Sequence, residues 1–278
     1  MRLWGEDAAL LERAGAELAV LARLEGAAED ASASLPRAGV VDAHVHLGTD
    51  ADGHALAAAA LLEDLDRWRV DAAVCFPANE PGDDGRFTRA NAAVAEAART
   101  APGRIVPFCR ADPMAGDPEA TIAAAAADGA RGLKLHPVAQ RLRLEGPEVV
   151  AAVRAATALG WPVTIHAGFG ARPLAGPIDA LLRQVPDARL ILAHGGRGDA
   201  RAIAAALPGW PGVMLDTSLA ALADLAVLPP ERLVFGSDRP YGEHATALRL
   251  VALAAGLGGW SADETAGVMG ANLRRWLP

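Results

Sequence analysis

Eight short runs rich in apolar and β-branched residues recur from residue 39 onward, and Ala/Leu-rich stretches of helical character separate them. The runs are "VVDAHVHLG", "DAAVCFP", "RIVPFCRADP", "GARGLKLHP", "PVTIHAG", "RLILAHGG", "GVMLDTS" and "RLVFGSDRP". The stretches between them predict helices near 54–69, 87–100, 118–128, 147–159, 178–185, 199–207 and 219–228. Strands that alternate with helices form parallel pairs, because a parallel neighbour is reached only by crossing back over the sheet. Polar residues end nearly every run instead of gathering at one switch point. That favours an α/β chain folded as a closed (β/α)8 TIM barrel over an open, doubly wound sheet. A length of 278 residues lies within what one such barrel occupies.

Local signals mark several boundaries. Asp117 is placed to cap a helix with Pro118 in its first position, and Ser261 with Glu264 forms a capping-box pattern before the last helix. Residues 1–37 read as a helical extension and linker, and 38–278 as the barrel. Leucines at 10, 11, 18, 21 and 24 recur at helical spacing, which suggests an amphipathic helix laid on the main body or on a second subunit. Acids punctuate this segment, so it reads as neither a signal peptide nor a membrane span, and a cytoplasmic location is expected. A net charge of −8 argues against a nucleic-acid surface, which needs clustered cations, and leaves a small molecule as the expected partner. Cys75 and Cys109, both in apolar runs, read as reduced core thiols.

The chemistry gathers at the strand ends. In "VVDAHVHLG", Asp42, His44 and His46 occupy alternate positions, so they share one side of a strand, where three polar groups are costly to bury without partners. His44 and His46 end the first run, Lys134 and His136 the fourth, His166 the fifth, His194 the sixth, Asp216 the seventh and Asp238 the eighth. A parallel barrel brings all of these ends to one rim. A lone histidine at a strand end is ordinarily a hydrogen-bonded core or rim residue. A His-x-His pair is different, because it sets two imidazoles side by side as a shared divalent cation needs, and one more His and an Asp complete an N/O site for zinc or a similar metal.

"DAHVH", "LKLHP", "TIHAG", "LAHGG" and "FGSDRP", in this order, resemble the amidohydrolase superfamily, and more narrowly its amidohydrolase-2 branch of hydrolases, metal-dependent decarboxylases and a hydratase. The similarity runs from about residue 38 to the carboxyl end, where "GANLRRWL" looks like that branch's closing helix. It implies that His44, His46, His166 and Asp238 hold one metal, zinc or manganese, and that His194 acts on the substrate or on metal-activated water. Asp238 is the candidate base. In two-metal branches the lysine matching Lys134 becomes a carbamate bridging the ions. The alternatives here are that Lys134 and His136 bind an anionic substrate group or that Lys134 pairs with an acid. Asp42 and Asp216 are expected to orient ligands, Asp216 equally as a plain rim hydrogen-bonding group. Arg172 reads either as a carboxylate clamp or as a solvated loop residue. Arg239 and His244 carry no signal above loop chemistry, and His54 reads as a surface residue.

Three functions compete. Hydrolysis of a small lactone, ester or amide bearing a carboxylate leads; non-oxidative decarboxylation or hydration at the same ligands follows; a silent, ligand-binding barrel comes third. Pairing into a homodimer is implied mainly by the resemblance, together with the apolar face of the amino-terminal segment.

Overall fold

The computed structural model describes residues 32–79, 87–168, 170–171 and 173–278. The expected amino-terminal helix lies outside the described residues. Eight parallel strands alternate with eight helices. The strands are β1 (Val41–Thr49), β2 (Ala72–Pro77), β3 (Ile105–Pro107, continued by Cys109–Arg110), β4 (Leu133–Leu135), β5 (Pro162–Ile165), β6 (Arg189–Leu192), β7 (Val213–Asp216) and β8 (Leu233–Val234). The helices are α1 (Ala58–Trp68), α2 (Thr88–Thr100), α3 (Pro118–Ala127), α4 (Pro147–Ala158), α5 (Ala175–Gln184), α6 (Ala200–Ala206), α7 (Leu222–Leu225) and α8 (His244–Gly258). β2 and β4 are buried throughout, as strands covered on both faces must be; β2 is accordingly apolar, while β4 carries Lys134 between two leucines.

Two junctions make the strands one ring. At the first, Phe108 interrupts β3, so that its first part pairs with β2 and its second with β4. The Phe108 amide donates to Cys75 O and the next amide, of Cys109, to Gly132 O, which passes the ladder from one sheet to the other. At the second, β1 closes on the chain after β8: Ala43 N donates to Phe235 O, His46 N to Arg239 O and Asp238 N to His44 O, each at 2.8 Å. The (β/α)8 barrel expected from the alternation is thus present.

The predicted helix starts and stops hold where their cause is local. Asp117 Oδ1 accepts from Ala120 N at 3.0 Å, and both halves of the Ser261/Glu264 capping box form. They move where tertiary contacts intervene. α5 begins three residues before the expected 178 because the distant Asp199 carboxylate accepts from the amides of Leu174 and Ala175, satisfying donors a helix start leaves open. α7 spans only Leu222–Leu225 instead of 219–228, since Leu219 sits in the left-handed region at φ 48° and cannot belong to the helix. Cys75 and Cys109 are buried and unpaired, and burial pushes both thiols up, Cys109 to about 12. No helix among the described residues is long and apolar enough to cross a membrane.

The first junction has a steric requirement. A Cβ on Gly132 would lie 2.4 Å from the buried Phe108 ring, well inside contact distance. Gly132→Ala is therefore expected to destabilise the fold by about 1–3 kcal/mol, the usual cost of overpacking. Phe108→Leu in the same chain should recover part of the loss, which urea titration of both variants checks.

Candidate metal centre

His44 and His46 leave β1 on the same side, and their Nε2 atoms stand 3.2 Å apart. Asp238, beyond β8, completes a triangle with Oδ1 3.1 Å from His44 Nε2 and 3.3 Å from His46 Nε2. Donor atoms around a tetrahedral ion with bonds of about 2.1 Å are separated by about 3.4 Å, so these edges suit one face of a coordination shell. His194 stands close enough to count with them: donor atoms of His44, His194 and Asp238 lie within 4.8 Å of one another, all three residues buried. His166 joins through His194, its Nδ1 lying 3.2 Å from His194 Nε2. The five strand-end groups therefore form one connected cluster, in which His194 stands as near to the triangle as a ligand would.

The surrounding hydrogen bonds fix how these groups point. Asp216 Oδ2 is 2.7 Å from His44 Nδ1, which places the ring proton on Nδ1 and frees the Nε2 lone pair. The other oxygen of Asp216 accepts from the amides of His194 and Ser218 and from Ser218 Oγ. Those bonds hold His194 at φ 59°, an unfavourable backbone conformation for a residue with a Cβ. His194 Nδ1 in turn lies 3.1 Å from Ser218 O, an acceptor only, so its proton also belongs on Nδ1 and Nε2 presents a lone pair. Asp42 sits deeper, fully buried, and accepts from His44 N, Ser237 N, Ser237 Oγ and His244 Nε2.

Charge and burial act together on these groups. Burial and Lys134 push His44 down, yet the Asp216 and Asp238 carboxylates outweigh them and leave its pKa raised. His46 is lowered to about 3 by burial, and His194 is lowered by burial and by His44. Burial opposes ionisation of Asp216 and Asp238, but the neighbouring His44 outweighs it, with Asp216 held at about 2 and Asp238 well below the carboxylate range. Lys134, the sole lysine of the chain, is fully buried with Nζ 3.2 Å from His44 Nε2 and 4.5 Å from the centroid of the Phe76 ring. Burial lowers it to about 7.

A cavity of about 320 Å³ opens above the cluster, with His46, His166, His194 and Asp238 in its lining. Its walls also include Arg110, His136 and Tyr241. His136 stacks on His166 with ring centroids 3.9 Å apart and planes 12° from parallel, so this side of the cavity is flat. Lys134 lies beneath the cluster and not in the wall, while Arg172 falls outside the described residues. Two wall residues, Arg110 and Tyr241, escaped the reading of the sequence, and His244, read there as loop chemistry, has a buried partner. Arg110 carries the "FCRADP" run into the wall, a signal present in the strand pattern itself. Tyr241 packs edge-on to His46 and donates from Oη to Asp50 Oδ2 at 2.5 Å. His244 binds Asp42 across 202 residues of chain, a partnership no local pattern announces.

The amidohydrolase family (Amidohydro_2) matches residues 41–278, and the chain belongs to that family. Solved structures with the same fold include 5-carboxyvanillate decarboxylase from Sphingomonas paucimobilis, 17% identical with a TM-score of 0.62, covering 86% of this chain and 98% of that one. A second 5-carboxyvanillate decarboxylase, from Novosphingobium aromaticivorans and solved with manganese and a nitrobenzoic acid, is 15% identical with a TM-score of 0.63, covering 85% and 96%. A protein described as a probable 2-pyrone-4,6-dicarboxylic acid hydrolase from Acinetobacter baumannii, solved with citric acid, is 15% identical with a TM-score of 0.61, covering 86% and 98%. At these identities the likeness establishes the fold alone. A search of curated proteins returns no match.

If Asp216 sets the His44 tautomer, Asp216→Asn should weaken divalent-ion binding by about 10–100-fold while the barrel still folds. Isothermal titration with zinc and manganese, with circular dichroism as the folding control, checks this; unchanged affinity would refute the assignment.

Proposed function

We propose that the chain is a metal-dependent hydrolase of a small, carboxylate-bearing lactone, ester or amide. The observation that carries this reading is the buried triangle of His44, His46 and Asp238, beside His194 and His166, at the floor of a cavity of substrate size. His44, His46, His166 and Asp238 would hold one divalent ion, zinc or manganese. Two imidazole Nε2 atoms 3.2 Å apart beside a carboxylate are a donor set that a cation satisfies. The manganese in the Novosphingobium decarboxylase supports the class of ion. Such an ion supplies Lewis-acid chemistry, polarising a carbonyl and lowering the pKa of water to about 7.

The chain's own groups do the rest. Asp238 is ionised at neutral pH and accepts the proton of the attacking water. His194, neutral and with its Nε2 lone pair directed by Ser218, accepts a hydrogen bond from that water and orients it, and Asp238 returns the proton to the leaving group. Polarising the substrate carbonyl suits His194 less, because Nε2 has no proton to donate in this tautomer. Arg110 and His136 line the wall where a substrate carboxylate would rest. Lys134, from beneath, adds positive charge near the carboxylates and stands apart from a carbamate bridge in this reading. Among the described residues the donor geometry gathers around a single group, as one ion needs.

Decarboxylation is the second reading, and the flat His136/His166 face is what favours it, since a planar aromatic or unsaturated acid would stack there. In that case Asp238 or His194 returns a proton to the carbon that loses carbon dioxide.

Metal-replete protein offered lactones, amides and carboxylated aromatics should release acid without carbon dioxide from the first two classes. His194→Ala and Asp238→Asn should each lower kcat by about 100-fold or more. Stripping the metal with chelator should abolish turnover and re-addition should restore it. Carbon dioxide release selects the second reading, and turnover indifferent to chelation overturns both.

A further inference from the structure

The two histidines of β1 are held by unlike means. His44 Nδ1 meets the Asp216 carboxylate, the usual arrangement for a ligating imidazole, whose second nitrogen is ordinarily given an acceptor. His46 departs from it: its Nδ1 is buried and forms no hydrogen bond among the described residues. Two aromatic rings meet this imidazole in T-shaped contacts instead, Phe76 with centroids 4.7 Å apart at 89° and Tyr241 at 5.2 Å and 85°. Phe76 is shared, since it also packs against the His44 ring at 5.0 Å and lies under Lys134 Nζ. Tyr241, the only tyrosine of the chain, touches no other ring of the cluster among the described residues.

Tyr241 is itself fixed from across the seam. Its Oη donates to Asp50 Oδ2 at 2.5 Å, and Asp50, just beyond β1, is buried. The other oxygen of Asp50 accepts from Asp52 N at 2.9 Å and from His54 N at 2.8 Å, while Asp50 N donates to His54 O. Gly48 and Thr49 pair with Leu56 and Ala55 on the return of the chain, so the carboxylate stands on a turn closed at its base. The His54 ring packs on Tyr241 as well, 5.1 Å away. A phenol anchored at its oxygen and packed by its neighbours keeps its ring in one place, and that place is against His46.

We propose that Tyr241, anchored by Asp50, is the positioning residue of His46 and takes for that ring the part that Asp216 takes for His44. The proposal rests on the reading of His46 as an ion ligand. The two imidazoles of β1 then differ in kind. A carboxylate sets both the angle and the tautomer of His44, whereas a ring edge sets the angle of His46 and leaves its tautomer open. An ion at His46 Nε2 requires the proton on Nδ1, and no hydrogen bond has to break for it to move there. Asp50 and Tyr241 also line the cavity, so the pair that orients this ligand belongs to the wall that a substrate meets.

Binding of zinc and cobalt(II) to the full chain tests this. Tyr241→Leu should bind zinc about tenfold more weakly by isothermal titration, and its cobalt-loaded form should show a shifted visible absorption band, which follows the angles between ligands. Tyr241→Phe keeps the ring and loses the bond to Asp50, and should fall between, about fivefold weaker, the worth of one hydrogen bond. Should the leucine variant lose its circular dichroism, the phenylalanine variant decides by the same two readouts. Wild-type affinity and an unshifted band in the variants overturn the proposal and leave the metal centre standing. Weaker binding with an unshifted band gives Tyr241 a purely structural role and overturns it too. A wild-type chain that binds neither ion overturns the reading of the metal centre itself, and a His46→Ala variant that keeps full zinc affinity removes His46 from the ligands and the proposal with it.

Discussion

The buried carboxylate of Asp42 ties the first strand of the barrel to the segment that follows the last. It accepts from His44 N on its own strand and from Ser237 N, Ser237 Oγ and His244 Nε2 on the other side of the seam. A buried carboxylate costs several kcal/mol to desolvate unless its lone pairs are filled, and four donors fill them here. The closing main-chain bonds run alongside, from Asp238 N to His44 O and from His46 N to Arg239 O. Because His44, His46 and Asp238 stand on these same residues, the interactions that shut the barrel also set the separations within the candidate metal centre.

Asp216 plays the complementary part from the seventh strand. One oxygen fixes the His44 ring and the other holds the backbone of His194 in a left-handed conformation together with Ser218. The two imidazoles thus answer to one carboxylate, and both direct Nε2 lone pairs inward. An electropositive occupant is the natural complement of such a pocket, since lone pairs and carboxylates without one repel each other in a low dielectric. The chemistry proposed for the cavity follows from that polarity: groups that accept protons on the floor, and Arg110 with His136 in the wall. Membership of the amidohydrolase family agrees with it and, at the identities of the solved relatives, leaves substrate and reaction to the geometry of the site.

Much of this was legible in the chain itself. The eight runs and the Asp117 and Ser261 caps are local, since period, β-branching and a capping oxygen three residues away act within one segment. His44 and His46 were legible for the same reason, because alternate positions on a strand share a side. Where expectation and structure part, the cause is a distant contact. Asp199 starts α5 early, and left-handed Leu219, whose carbonyl accepts from Arg197, shortens α7. Arg110 went unremarked although its strand was found, because a strand pattern does not say which end residue enters the wall.

The sequence by itself determined the order of strands and helices, the face that carries each polar group and the rim where those groups meet, because these depend on spacing along one segment. Only the tertiary structure decided that His194 stands as near to the triangle as a ligand, that Lys134 lies beneath it instead of lining the cavity, and that His244 serves Asp42. Each of those outcomes is a separation of a few ångströms between residues far apart in the chain, and such separations are fixed only when the ring closes and packing leaves each side chain one place to go.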